Sequence, residues 1–148
     1  MSVLAINKRS GFDYFLMDGY EAGLVLNGQE VKSVRAGHIS LKESFVTLKG
    51  NELYLTNAYI TPYKQAGLKQ LNDPTRSRKL LLRKAEIRQL IGKVRTQGLT
   101  LVPIKIYTKK RLIKLVFAVG KGKKKFDKRE DTAKKEAKRK IDRALKNL

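Results

Sequence analysis

Apolar and polar residues alternate along short stretches of the first 120 positions, and this period of two predicts β-strands. The stretches are rich in β-branched and aromatic residues, which suit a half-buried pleated surface. The predicted strands are residues 13–17, 20–26, 44–48, 53–56, 58–61, 100–108 and 112–119. Many short strands with little repetition predict a small antiparallel β-barrel, so the expected fold is mainly β.

Two local features refine these strands. The sequence Lys49-Gly50-Asn51-Glu52 is typical of a hairpin turn and joins strands 44–48 and 53–56. Pro103 has no backbone N–H to donate, so it marks an edge or a bulge in its strand. Both features limit the ways in which the predicted strands can pair.

Two other segments repeat their apolar residues with a helical period. The first helix is predicted over residues 28–36, with Asn27 as its N-cap and Gly37 as its left-handed terminator. The second is predicted over residues 83–97 and ends at Gly98. Because both are amphipathic, each is expected to pack on the barrel. The whole is an α+β arrangement, a barrel with two to three flanking helices and a basic C-terminal tail.

The chain divides near residues 120–122, where large apolar residues become rare. Residues 121–148 contain 13 Lys and Arg against 5 Asp and Glu, a net charge of +8. A helix there would bury a stripe made mostly of alanine, too little to offset about 1–2 kcal/mol of ordering per residue. We therefore predict a barrel domain over 1–122 and a basic tail over 123–148, disordered in isolation and helical on RNA; the alternative is a solubilising tail.

The composition favours a polyanion partner. The 148 residues include 34 Lys and Arg against 13 Asp and Glu, a net charge of +21, while 41% of positions are hydrophobic. This describes a folded domain with a basic surface. There is no cysteine, no signal-peptide pattern and no run of about 20 apolar residues, so we expect a cytoplasmic monomer with no membrane partner.

Enzymatic chemistry has little support in the sequence. There is a single histidine, His38, which either touches RNA or lies in a solvated loop. Glu30-Val31-Lys32 has the spacing of metal-dependent nucleases, but a second carboxylate for the metal is missing nearby. The alternative, which we favour, is a pair of charged residues on a helix surface. The prediction is therefore a protein that is not an enzyme and holds no cofactor and no metal.

The connection over residues 62–82 is longer than an ordinary loop, so it is expected to be functional or disordered. Three cations, Arg76, Arg78 and Lys79, fall within four of its residues, beside an apolar run. Cations in a fixed position suit RNA phosphates, although a solvated basic loop is the alternative. Several aromatic residues are candidates for stacking on bases or for packing in the core: Phe12, Tyr14, Tyr20, Tyr59, Tyr63 and Tyr107.

Segments throughout the chain resemble, in order, those of the small protein B family, whose members are also called SsrA-binding proteins. They are LAINKR (4–9), YEAG (20–23), EVKSVRAG (30–37), DPTRSRKLLL (73–82), IGKV (91–94), GLTLVP (98–103) and GKGKKK (120–125) followed by DKR (127–129). The resemblance implies an oligonucleotide-binding-type β-barrel with helices beside it. One departure is Phe12, where many relatives carry histidine.

The resemblance also implies a function. Members of the family bind the tRNA-like domain of transfer-messenger RNA and deliver it to stalled ribosomes. The tail is implied to probe the empty mRNA channel near the small-subunit decoding centre. Alanyl-tRNA synthetase and elongation factor Tu take part indirectly, through the charged RNA. From composition alone, a structural ribosomal protein and a nuclease using Glu30 and Lys32 remain alternatives.

The candidate sites combine this resemblance with the positions of the cations. The resemblance associates Asn7, Glu21 and Leu81 with RNA binding. The full set of predicted RNA-binding residues is Asn7, Lys8, Arg9, Glu21, Lys32, Arg35, Arg76, Arg78, Lys79 and Leu81. The predicted ribosome-binding residues of the tail are Lys123, Lys124, Lys125, Asp127, Lys128, Arg129, Lys134, Lys138, Arg139 and Arg143.

Overall fold

The computed structural model describes residues 2–62 and 73–146. The strands are β1 (Ser2–Ile6), β2 (Tyr14–Leu24), β3 (Ile39–Ser40), β4 (Phe45–Lys49), β5 (Glu52–Thr56), β6 (Tyr59–Ile60), β7 (Arg78–Leu81), β8 (Thr100–Lys109) and β9 (Leu112–Gly122). The helices are α1 (Ser10–Asp13), α2 (Gly28–Arg35), α3 (Lys84–Gln97) and α4 (Lys125–Lys146).

Six antiparallel strands close into a barrel in the order β4, β5, β7, β2, β9, β8, with β8 pairing back to β4. Strand β4 pairs with β8 near the start of β8, and β1 pairs with the later part of β8. Strands β3 and β6 form a separate two-stranded sheet. The mainly β fold with an antiparallel barrel is therefore confirmed. Every residue of the closed strands points either into the barrel or out of it, which determines the surface available to a partner.

The predicted turn and bulge signals occur where expected. Gly50 adopts φ +64° in the hairpin between β4 and β5, in which Lys49 pairs with Glu52. The register of β8 against β9 shifts between Pro103 and Lys105, so the proline marks a bulge. The strands predicted at 13–17 and 20–26 are one strand, β2, because a register shift between Leu16 and Gly19 absorbs the polar break.

The core fills the barrel and extends under two helices. Side chains such as Leu55, Leu80 and Phe117 are fully or almost fully buried in it. Helix α2 adds Val34, and helix α3 adds Leu90. Both predicted helices are thus confirmed, and each packs one apolar stripe on the barrel.

The ends of both helices have the predicted local structure. The Asn27 side chain accepts from the backbone N–H of Glu30, and the Glu30 side chain accepts from the backbone N–H of Asn27, which is a capping box. Gly37 and Gly98 adopt the left-handed conformation after α2 and α3, with φ of +80° and +62°.

Some elements were not predicted. The short β1, β3 and α1 carry weak periodic signals, and β1 is held mainly by its pairing with β8. Strand β7 lies within the segment that we predicted as a loop, because its four residues alternate buried and exposed against β5 and β2. Residues 63–72, which include the candidate Tyr63, lie outside the described residues.

The tail carries α4, a helix of 22 residues, and the side chains of residues 132–139 are exposed. Whether it is disordered in isolation, as the sequence predicts, stays a prediction. In the described part of the chain, no helix is both long enough and apolar enough to cross a membrane.

Candidate RNA-binding surface

Leu81 and Glu21 lie on adjacent strands and face outwards together. Leu81 pairs with Gly23 of β2 and is 55% exposed. A Cβ built on Gly23 would meet the Cβ of Leu81 at 3.4 Å, so glycine leaves room for the leucine to lie across β2. Alternation along β2 places Glu21 on the same side as Gly23, while Ala22 between them is fully buried. An apolar side chain and a carboxylate therefore share one exposed surface.

The strand register extends this surface across the barrel. Glu21 pairs with Val116, Val116 pairs with Lys105, and Lys105 pairs with Ile6. Asn7 follows directly after Ile6, which is 59% exposed. We call the row from Leu81 through Glu21, Val116 and Lys105 to Ile6 the outer strip. It places Glu21 and Leu81, which the resemblance names and which are distant in sequence, on one face of the barrel, and Asn7 follows the residue at its other end.

The Glu21 carboxylate lies near a buried tyrosine. Hydrogen bonding to that carboxylate raises the pKa of Tyr107 to about 12. The Tyr107 side chain is buried, and the ammonium of Lys105 lies 5.8 Å from the centre of its ring. The exposed Glu21 carboxylate has lone pairs available to accept from the amino groups of a base.

Asn7 is engaged within the protein. Its side-chain amide donates to the carbonyl of Pro103 at 2.9 Å, and its Oδ1 accepts from the backbone N–H of Arg9 at 3.4 Å. Its backbone N–H also donates to the carbonyl of Ile104, at 2.7 Å. Asn7 therefore positions the turn that presents the exposed Lys8 and Arg9, a role that the sequence alone did not indicate.

A groove of about 640 Å³ lies beside this turn. Lys8 and Arg9 line one side of it, and the β3–β4 connection, with Lys42, lines the other. Its floor includes apolar side chains such as Leu41 and Pro103. Basic side chains around an apolar floor can hold a phosphate and a base at the same time.

Glu30 and Arg78 form a buried ion pair, with side chains only 5% and 1% exposed. The Arg78 guanidinium donates to the Glu30 carboxylate at 2.8 Å and to the carbonyls of Ala58 and Pro74 at 2.6 and 2.9 Å. Arg76, whose side chain is partly exposed, donates to the same carboxylate. The expectation that Glu30 lies on a helix surface is wrong, because it connects α2 to the start of β7.

The buried pair changes how two candidates are interpreted. Burial alone would raise the pKa of Glu30, but hydrogen bonds from Arg76, from the Asn27 backbone and from Arg78 outweigh it and hold that pKa below its ordinary value. Both carboxylate oxygens are engaged by guanidinium groups, so Glu30 does not fit the metal-binding role of a nuclease. Arg78 has almost no surface to offer to a phosphate, and its position is that of a structural residue.

The other predicted cations of this region are accessible. Lys79 alternates with Arg78, points outwards and pairs with Glu52 at 2.9 Å. Lys32 and Arg35 are exposed on α2, and the Arg35 guanidinium donates to the carbonyl of Arg111 at 2.7 Å. These contacts are at the surface, where a phosphate can compete for the same cations.

A second groove, of about 300 Å³, brings together residues that the sequence reasoning missed. Leu81 and Val31 line it together with Arg111 and Lys114. Lys114 pairs with Gly23, next to the outer strip. Lys105 and Lys114 could have been found from the period of two in β8 and β9. Because their neighbours Ile106 and Leu115 are buried, each lysine faces outwards.

The aromatic candidates divide between core and surface. Tyr20 stacks on the buried Phe117 with ring centres 5.8 Å apart, so it packs in the fold. Tyr59 is exposed, and Tyr14 is half-buried beside the first groove. His38 is exposed, and its backbone N–H and C=O both hydrogen-bond within the protein.

The described tail residues divide in a similar way. Lys128 forms an ion pair with Asp13, and the Lys123 ammonium lies 4.9 Å from the centre of the Phe15 ring. Other predicted tail cations are exposed: Lys124, Arg129, Lys134, Lys138 and Arg139. The side chains of Lys125, Asp127 and Arg143 lie outside the described side chains.

Comparison with known proteins gives consistent matches. The family model described as SmpB protein matches residues 4–147. The SsrA-binding protein of Anoxybacillus flavithermus is 52% identical over 143 residues, which are 97% of this chain and 92% of that protein. The SsrA-binding protein of Halothermothrix orenii is 50% identical over 146 residues, or 99% of this chain and 94% of that protein.

A solved structure agrees with these sequence matches. A chain of the structure "tmRNA-SmpB: a journey to the center of the bacterial ribosome" has a TM-score of 0.67 and 46% identity, covering 84% of this chain and 91% of that chain. The barrel, the order of its motifs and the family match over nearly the whole length lead to one conclusion: this chain belongs to the SmpB family.

Proposed function

We propose that this protein binds the tRNA-like domain of transfer-messenger RNA and delivers it to stalled ribosomes. The observation that carries the proposal is the outer strip, on which Leu81, Glu21 and Ile6 fall into one row next to Asn7. The names of the relatives, SsrA-binding protein, and of the structural neighbour, with tmRNA and a ribosome, support the identity of the partner.

The chemistry of the outer strip suits a folded RNA. Lys105 within the strip and Lys114 next to it neutralise phosphates, which favours binding by releasing counterions. Glu21 accepts from base amino groups, and the exposed Leu81 and Ile6 pack against a base or a sugar. Asn7 and Arg78 act as positioning residues rather than as direct contacts. The accessible cations Lys8, Arg9, Lys32, Arg35, Arg76 and Lys79 surround the strip.

The tail makes a separate contribution in this proposal. Residues 123–148 exchange between disordered and helical states, and phosphates that line the empty mRNA channel of the ribosome shift them to the helix. The protein acts in the cytoplasm as a monomer and catalyses no reaction itself. Alanyl-tRNA synthetase and elongation factor Tu contribute indirectly, because they act on the charged RNA.

The test compares two RNAs of equal length at physiological salt, one with a tRNA-like fold and one an unrelated hairpin. The tRNA-like RNA should bind at least about tenfold more tightly, because base and shape contacts add to the non-specific phosphate term. Glu21→Gln should reduce this preference, whereas Glu86→Gln, which removes a carboxylate from the first turn of α3, outside the strip, should leave it unchanged. Equal affinity for the two RNAs would contradict the proposal.

A further inference from the structure

The short helix α1 contacts the beginning of the tail at three points, two of them with α4 and one with Lys123, which lies just before α4. The first is an ion pair, with Oδ1 of Asp13 at 3.2 Å from Nζ of Lys128. The second is a backbone hydrogen bond, in which the N–H of Lys123 donates to the carbonyl of Asp13 at 2.9 Å. Both contacts converge on the last residue of α1, so Asp13 lies where the tail leaves the barrel.

The third contact involves the aromatic ring of Phe12, the third residue of α1. The guanidinium of Arg9 lies 4.9 Å from the centre of the Phe12 ring, and the ammonium of Lys135 lies 5.8 Å from it. These are distances at which a cation is attracted to an aromatic face. The Phe12 ring thus has cations from α4 and from the turn before α1 in contact range.

The spacing of the two lysines agrees with a docked helix. Lys128 and Lys135 are seven residues apart, or about two turns, so both lie on the same side of α4. Thr132, between them, donates its hydroxyl to the carbonyl of Lys128 at 3.0 Å. The contacts with α1 therefore come from one helical face over the first turns of the tail.

Arg9 orients the Asp13 carboxylate and favours its charged form. The Arg9 guanidinium donates to both Asp13 oxygens, each at 3.3 Å. Hydrogen bonds from Arg9 and then from Lys128 hold the pKa of Asp13 below its ordinary value, so the carboxylate is charged at neutral pH. With side chains 28% and 35% exposed, Asp13 and Lys128 form a contact weak enough for an RNA phosphate to displace.

We propose that α1 is a docking site for the first turns of the tail, in which Asp13 and Phe12 hold Lys128 and Lys135 and set the direction in which α4 leaves the barrel. The tail still exchanges between disordered and helical states. Docking raises the population of the helical state over residues 128–135, which we call the root of the tail. A phosphate-lined surface competes with Asp13 for Lys128, so binding to it releases the root from α1. The first part does not depend on the proposed function.

The test uses the full-length protein without RNA, and measures helical chemical shifts and amide exchange for residues 128–135. Asp13→Asn should lower the ratio of docked to undocked root by about two- to fivefold, the range of an exposed ion pair. The matched control is Asp18→Asn, which removes the same charge from β2, where it pairs with Lys93 rather than with the tail. Unchanged shifts in Asp13→Asn, or equal changes in both variants, would overturn the proposal.

A double-mutant cycle separates direct contact from general loss of charge. Lys128→Gln should produce a similar loss, and adding Asp13→Asn to it should change the ratio little further, because one interaction connects the two residues. Additive effects would mean that they do not interact. Amide exchange in β8 and β9, recorded in the same samples, shows whether the barrel stays intact.

The competition has its own measurement. Adding a poly(U) oligonucleotide to the wild-type protein should move the shifts of Asp13 and Phe12 to those of the truncated chain that lacks residues 126–148. The oligonucleotide could instead bind the tail while Asp13 and Phe12 keep their docked shifts. That result would contradict the proposed competition but not the docking of the tail on α1. Because no tRNA-like RNA or ribosome is used, neither result depends on the proposed function.

Discussion

Glu30 in the barrel and Asp13 at the root of the tail are both carboxylates held by two cations, but their surroundings differ. Glu30 and its partner Arg78 are buried, with side chains 5% and 1% exposed, whereas Asp13 and Lys128 are 28% and 35% exposed. Burying a charge costs several kcal/mol unless its partners are complete, and exposed pairs contribute about 1 kcal/mol or less. The first ion pair therefore has a structural role. In the second, a ligand phosphate can replace Asp13 as the partner of Lys128.

The same contrast holds for the two regions as wholes. In the barrel, strands from distant parts of the sequence surround large apolar side chains such as Phe117, and its buried charges have hydrogen-bond partners. In the tail, described residues such as Lys138 and Arg139 are exposed and available to a partner. The barrel uses a few charges to fix its shape, and the tail carries many charges for an external surface.

Removing residues 126–148 should separate the two regions most clearly. The free energy of unfolding of the barrel should change by less than about 0.5 kcal/mol, because the contacts of the tail's described side chains after residue 125 with the barrel domain lie at the surface. Affinity for the tRNA-like RNA should be largely retained, while activity on stalled ribosomes should be lost. Urea unfolding, RNA binding and a ribosome-rescue assay on the same truncated chain check this. Loss of most of the RNA affinity would contradict the division.

Arg78→Met should destabilise the barrel by about 3–5 kcal/mol, because it removes the buried one of the two guanidinium partners of the Glu30 carboxylate. Lys79→Met is a matched control, since Lys79 is the next residue of the same strand and its ion pair with Glu52 is exposed. That change should cost less than about 1 kcal/mol. Urea unfolding of both variants measures the difference, and similar losses would show that the buried pair is not structural.

The contribution of Glu30 should depend on pH. Its pKa is lowered in the folded protein from an ordinary value of 4.5, so its charge stabilises the fold above that pH. The stabilisation is lost as the pH falls from 4.5 through the lower, folded-state pKa. The difference in unfolding free energy between the wild type and Glu30→Gln should therefore be constant near neutrality and shrink in acid. A difference that grows in acid would reverse the assigned direction.

Lys105→Ala and Lys114→Ala should have the smallest effects, which appear in the salt dependence of RNA binding. Each lost phosphate contact should flatten the slope of the logarithm of affinity against the logarithm of salt concentration by about one unit or less. Lys49→Ala, an exposed lysine in the β4–β5 hairpin, should leave the slope unchanged if the RNA lies on the outer strip. Equal changes at all three lysines would indicate a non-specific charge effect.

Local patterns in the sequence were sufficient for much of the fold. The N-cap at Asn27, the helix ends at Gly37 and Gly98 and the irregularity at Pro103 all depend on backbone chemistry within a few residues, so they could be predicted. Alternation likewise identified most of the barrel strands. It failed for β1, which is short and depends on its neighbour β8, and for β7, whose cations concealed the alternation.

The β-rich barrel, the basic tail and the family resemblance could be inferred from the sequence, because each depends on local periodicity, composition or ordered motifs. The folded structure was needed to show that Glu30 and Arg78 are buried partners, that Asn7 positions a turn, that Lys105 lies in the outer strip and that Lys114 lies next to it. These facts depend on pairing between strands far apart in the chain. Two residues with the same charge can therefore have opposite roles, one inside the fold and one on its surface.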